Sequence, residues 1–174
     1  MVRKQNCFVK KTKIYGNIVK MHTRRNNKTD PKKSQNKKDR NKTDRKKIIT
    51  NKQKSEMVQM FLEFLDAIKL YHWKTTSYSQ HKATDELHER LSKSVDTFME
   101  ILLGKTKRID MIHHQIRLYD FHSLGPLKDK IFEFREFLVD LSHILDSKKD
   151  TDLLSIRDDM LGYINQFLYL LTLE

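Results

Sequence analysis

Residues 71–85 read YHWKTTSYSQHKATD, and the fold turns on them. Upstream, Met57, Phe61, Phe64, Ile68 and Tyr71 recur at the three- and four-residue spacing of an amphipathic helix running from just after Ser55 to about Thr76. Downstream, Leu87, Leu91, Val95, Phe98 and Leu102 repeat that spacing. Between the two stripes Ser77 is followed at the third position by Gln80, the pattern of a capping box at the start of a second helix. The stretch is therefore a short connection between two helices. It places His72 at the end of one, His81 at the start of the next and Asp85 a turn further on.

The same period continues along the chain. Gly104 is placed to cap the second helix, and Gly125-Pro126 opens a third whose stripe is Leu127, Ile131, Phe134, Leu138, Leu141 and Leu145. From about Asp150 a fourth carries Leu153, Met160, Leu161, Ile164, Phe167, Leu168 and Leu171 almost to the C-terminus. Tyr71 and Trp73 read as core aromatics of the first helix. No strand alternation competes, so residues 55–174 read as an all-α domain, a four-helix bundle. The link KTKRIDMIHHQIRLYDFHSL, residues 105–124, is long enough to cross the length of the bundle and to hold a short helix of its own. Such a crossover between the second and third helices gives a ferritin-like topology.

Charge divides the chain in two. Of its 35 Lys+Arg and 23 Asp+Glu, residues 1–54 hold 20 basic and 3 acidic side chains, a net +17, which leaves the rest of the chain at 15 against 20, a net −5. Residues 23–47 contain no apolar side chain except Pro31, a composition that cannot offset the entropy of ordering it, so 1–54 reads as a disordered lysine-rich arm. Its densest block, with Lys32, Lys33, Lys37, Lys38, Arg40, Lys42, Arg45, Lys46 and Lys47, has no aromatic residue. That suits nucleic-acid binding through the phosphate backbone without base readout. The first 22 residues lack the continuous apolar stretch of a signal peptide, and no run approaches the ~20 apolar residues of a membrane span, so no membrane association is expected. Cys7 is the only cysteine, which excludes an intrachain disulfide and a cysteine zinc site and suits a reducing compartment. No glycine-rich phosphate loop occurs. Adjacent His113 and His114, with His122, read as surface or packing histidines, since neighbours in sequence point apart.

One polar stripe stands out. On a helix with His81 at 0°, Asp85 falls at about 40°, Asp96 at about 60° and Glu100 at about 100°, whereas the apolar stripe of Leu87 to Leu102 centres near 280°. These four share the face away from the core. The rise from His81 to Asp96 is about 22 Å, too far for one metal within one chain. A second copy packed antiparallel, with the axis near Arg90 and Leu91, would bring the His81/Asp85 end of one chain to the Asp96/Glu100 end of the other, with His72 closing each cluster. Two histidines and two or three carboxylates suit Fe(II), with open positions for an oxidant.

At these residues the chain resembles the Dps-like ferritins, the DNA-protecting mini-ferritins. His72-Trp73 at the end of the first helix, His81 with Asp85 opening the second, and Asp96 with Glu100 four apart stand where that family keeps its ferroxidase pattern. The resemblance implies iron bound by His72, His81 and Asp85 of one chain with Asp96 and Glu100 of its partner, a homodimer or larger homo-oligomer through the second helix, and a basic tail on nucleic acid. Over residues 56–174 the chain looks still more like an uncharacterised ferritin-like group of large DNA viruses and phages. The location implied is the cytoplasm or nucleoid, or the virion and host cytoplasm for a viral chain. The rival reading from another class is a non-enzymatic DNA-packaging or virion structural protein with a metal-free ferritin-like fold.

Overall fold

The computed structural model describes residues 48–112 and 115–173. Four helices account for most of them: α1 (Asn51–Lys74), α2 (Tyr78–Lys105), α3 (Leu124–Ile144) and α4 (Thr151–Leu170). Among the described residues there is no strand. The arm's densest basic block, residues 32–47, lies outside them.

Local signals fix the helix ends, in places differently from the periodic reading. The helix expected after Ser55 begins at Asn51, because Thr50 and Gln53 close a capping box: Gln53 N donates to Thr50 Oγ1 at 3.2 Å and Thr50 N to Gln53 Oε1 at 2.9 Å. The expected boundary at 54/55 therefore falls inside α1, where Lys54 and Ser55 are buried. Ser77 caps α2 as expected, accepting from Gln80 N, but the Gln80 side chain turns back to accept from Tyr71 Oη at 2.7 Å and from Thr75 Oγ1 at 3.2 Å. Gln80 thus binds the end of α1 instead of completing its own cap. Gly104 is not the cap expected of it. Helix α2 continues through Lys105 and ends on Thr106, whose φ of −121° is extended, so no left-handed residue is required. Pro126 is the third residue of α3, still within the first turn, where its missing N–H has no helical partner to lose.

The expected stripes are the core, except that Leu161 and Leu168 of the fourth are only half-buried. Met57, Phe61, Phe64, Ile68, Leu87, Leu91, Phe98, Leu102, Leu127, Ile131, Phe134, Leu138, Leu153, Met160, Ile164 and Phe167 are all buried. Phe61 packs edge-on against Phe98, Phe134 and Phe137 at ring separations of 5.6, 6.0 and 5.6 Å, and Phe64 stacks on Phe134 at 3.9 Å. The helices close into a ring in the order α1, α2, α4, α3, with no close backbone approach across either diagonal.

The link between α2 and α3 therefore joins diagonal helices, and α1 guides it. Asn51 bonds both backbone groups of Asp110, donating to its oxygen at 2.6 Å and accepting from its nitrogen at 3.0 Å. Lys54 Nζ donates to the carbonyls of Lys107 and Arg108 at 2.5 and 3.1 Å, and Ser55 Oγ accepts from Ile112 N at 3.0 Å. Further along α1, buried Glu63 accepts from Arg117 N at 3.1 Å and Tyr119 Oη at 3.4 Å, and Lys74 pairs with Asp120 at the helix end. The link thus runs beside α1 from its start to its end, and α2 and α3 point the same way. The short helix for which the link has room is absent among the described residues, because α1 side chains take the backbone groups a helix would need.

Replacing Glu63 with Ala leaves Arg117 N–H and Tyr119 Oη without their acceptor. Stability should fall by about 1–3 kcal/mol in urea unfolding, with faster tryptic cleavage at Arg117 before global unfolding. Wild-type values for both would show that this carboxylate does not hold the link.

Candidate metal centre at the corner of α1 and α2

Three residues, Thr75 to Ser77, separate α1 from α2, so the last turn of one and the first turn of the other are forced side by side. His72 is buried there, while His81 is half-buried. Their imidazoles stack with centroids 3.9 Å apart and planes 23° from parallel. Each ring reaches the other's backbone: His72 Nδ1 lies 3.0 Å from the His81 carbonyl oxygen, and His81 Nδ1 lies 3.0 Å from that of His72. A carbonyl only accepts, so both Nδ1 atoms carry a proton, and Nε2 is the nitrogen of each ring left to face Asp85 or a metal. Ring nitrogens fixed in this way are the usual companions of metal-binding histidines.

Asp85 lies beside the pair. Its Oδ1 is 3.6 Å from His72 Nε2 and 3.4 Å from Lys69 Nζ. Burial pushes its carboxyl up, but the hydrogen bond from Lys69 and the charges of His72, Lys69 and His81 together hold it below the ordinary value. Thr84, fully buried, donates from Oγ1 to the Gln80 carbonyl at 2.7 Å and stands 3.4 Å from His72 Nδ1. His88, a turn beyond Asp85, is half-buried, and its imidazole is pushed down by burial first and by Lys69 second.

The structure therefore brings His72, His81 and Asp85 together. Asp96 and Glu100 are exposed at the far end of α2, on the face the helical period assigns them. Among the described residues no group of three His, Cys, Asp or Glu side chains stands ready to hold a metal ion. Leu91 is fully buried in the core, as its place on the apolar stripe predicts, and exposed Arg90 turns to α4, where it donates to Gln166 Oε1 at 2.7 Å and lies 5.2 Å from the Tyr163 ring. Glu89 and Ser92 are exposed beside them at the midpoint of α2. One expectation needs correction: Trp73 is not a core aromatic, being 67% exposed with Lys69 Nζ 6.0 Å from its ring, whereas Tyr71 is buried. One residue past His72 is a 100° rotation, enough to leave the core.

His122 lies by Asp120 and Lys74, and His113 and His114 lie outside the described residues, as do Lys32, Lys33, Lys37, Lys38, Arg40, Lys42, Arg45, Lys46 and Lys47. Lys69 and Thr84 escaped the sequence reading. The signal was their spacing, since Lys69 stands three residues before His72 and Thr84 three after His81.

Residues 72–171 match the model of a family of unknown function, DUF5856. The chain belongs to that family. The match opens on His72 and contains His81, Asp85, Asp96 and Glu100, so every candidate ligand of this DUF5856 chain lies within the shared region. No curated protein and no solved structure matches the chain.

Because folding pushes the His88 imidazole down, the folded chain binds that proton less tightly than the unfolded chain, so acidification through the ordinary imidazole range costs stability. Lys69→Met removes the second largest cause. The His88 titration followed by NMR should move up in this variant, and the Asp85 carboxyl should rise with it. An unchanged His88 titration would show that Lys69 does not act on this corner.

Proposed function

We propose that the chain is a Dps-like ferritin, a ferritin-like bundle that binds and oxidises iron at a two-fold interface and holds nucleic acid through its basic arm. The observation that carries the reading is the His72/His81 pair, whose two Nδ1 atoms are committed to backbone carbonyls beside Asp85. The donor set fits ferrous iron: two neutral imidazole nitrogens and a carboxylate from one chain, with Asp96 and Glu100 of a second copy completing it. The link joining diagonal helices supports a ferritin-like topology, and the resemblance of residues 71–100 to the family's ferroxidase region supports the ligand assignment.

In this reading His72 and His81 hold iron through Nε2. The backbone carbonyls of His81 and His72 orient those rings, and Asp85 supplies charge at the same point. Iron(II) is the substrate, and it gives up an electron to peroxide or dioxygen. Lys69, now on the Asp85 oxygen, gives way when the metal binds.

His81→Ala and Asp96→Ala should each abolish rapid Fe(II) oxidation, followed by absorbance of the ferric product, while both variants keep wild-type helicity, since neither residue lies on the core stripe. A mixed dimer of the two variants retains one intact cluster and loses the other, so an equimolar mixture that pairs at random should restore about a quarter of the activity. Full oxidation by either variant alone would show that these residues do not hold the iron, and a wild-type chain no faster than protein-free solution would favour the metal-free packaging protein.

Residues 1–47 hold 18 Lys+Arg and 3 Asp, leaving 17 against 20 in the rest of the chain. Truncation after residue 47 keeps the Thr50 cap and removes the basic block. The full chain should bind DNA of any sequence, with log affinity falling by about 0.9 per decade of salt for each phosphate neutralised. The truncated chain should not bind. Retained affinity would place the nucleic-acid surface on the helices.

A further inference from the structure

We propose that the groove between the start of α2 and the end of α4 binds a short apolar peptide with free ends, its carboxylate at Lys82 and its ammonium at Glu89. The groove has a volume of about 440 Å³ and an apolar floor of Ala83, Leu170, Leu171 and Leu173. Small-molecule pockets fall in the range of about 300–1,000 Å³. Leu170 is 36% and Leu173 61% exposed, and from Met160 to Leu173 the chain has no charged residue, so the α4 wall brings apolar surface without charge.

Every charge in the groove comes from α2. Asp85 is matched by Lys69 at 3.4 Å and Glu86 by Arg90 at 3.0 Å. Lys82 and Glu89, both exposed, complete the four charged side chains that line it, and among the described residues neither has an ion pair or a hydrogen bond. They lie seven positions apart, nearly two full turns, which puts them on one face of α2 about 10.5 Å apart along the axis. An extended peptide advances about 3.3–3.6 Å per residue, so three residues span about the same distance. The two ends differ. Ser79, in the first turn of α2, lines the groove at the Lys82 end, where unpaired backbone N–H groups and the positive end of the helix dipole favour an anion. One cation and one anion at opposite ends of an apolar floor are complementary to a ligand that carries the opposite pair at the ends of an apolar body.

Neither Lys82 nor Glu89 is a ligand in the iron reading, and EDTA in every solution keeps metal out of the test. Isothermal titration of the full chain with tri-leucine reads the binding. The peptide with free ends should bind at one site per chain, and tri-glycine should not bind. Acetylating the N-terminus or amidating the C-terminus should each weaken binding about fivefold, the upper end for an exposed ion pair. Glu89→Gln should weaken the free peptide by that factor and leave the acetylated one unchanged; Lys82→Met should weaken the free peptide and leave the amidated one unchanged. Leu173→Asn, past the end of α4, should cost about tenfold, the burial of about two methylenes, with native circular dichroism. Tri-leucine that does not bind would overturn the assignment. So would equal affinity for the peptide blocked at both ends, which would make the groove an apolar patch alone. Tri-leucine that fails to bind while Leu173→Asn splits an assembly seen by sedimentation would give the groove to a second copy, and overturn it too.

Discussion

The α1 side chains that strap the α2–α3 link along that helix set the architecture. Lys54 and Glu63 are buried charges that bond to the link: the Lys54 ammonium to two carbonyls, the Glu63 carboxylate to a backbone N–H and a tyrosine hydroxyl as well as to Gln59 of its own helix. A charge taken from water demands such partners, and removing either member leaves the other buried and unpaired. Because both stations lie on one helix, the link can only follow α1 from one end of the ring to the other. That path makes α2 and α3 diagonal and parallel. It also keeps the link off α2, whose outer face is exposed among the described residues.

The corner between α1 and α2 depends on this arrangement at one remove. A three-residue connection holds the helix ends close enough for His72 and His81 to exchange bonds with each other's carbonyls, groups that a helix end and a helix start treat differently. The His72 carbonyl falls in the last turn of α1, where helical partners run out. The His81 carbonyl lies inside α2 and uses its second lone pair. The corner is therefore over-determined: a Gln80 clamp on Tyr71, a buried Thr84 and a stacked ring pair all fix the same few side chains. Such rigidity is what a site of defined geometry requires.

Charge is distributed with similar economy. Residues 1–47 carry 18 Lys+Arg against 3 Asp, whereas the rest of the chain carries 17 against 20, so nearly all the carboxylates fall in the helical part. On α2 the carboxylates lie on the face that the core does not use. Lys69 is the exception that marks the corner, a cation reaching Asp85 from α1.

The sequence by itself determined the helices, because apolar residues three and four apart can be buried only by a helix that turns that face inward. Nearly every residue of the four stripes is in the core, and Ser77 caps the helix it was expected to cap. It also placed His81, Asp85, Asp96 and Glu100 on one face, since that follows from the rise and turn of any α-helix. Only the tertiary structure decided what depends on neighbours. The start of α1 moved to Asn51 because a capping box outweighs the place where apolar spacing begins. Trp73 went outward and His72 inward because the packing of α2 against α1 chooses among adjacent residues. Arg90 turned toward α4 because Gln166 and Tyr163 stand within its reach. The bonding of His72 to His81 joins two helices, and no periodicity within either one encodes which nitrogen meets which carbonyl.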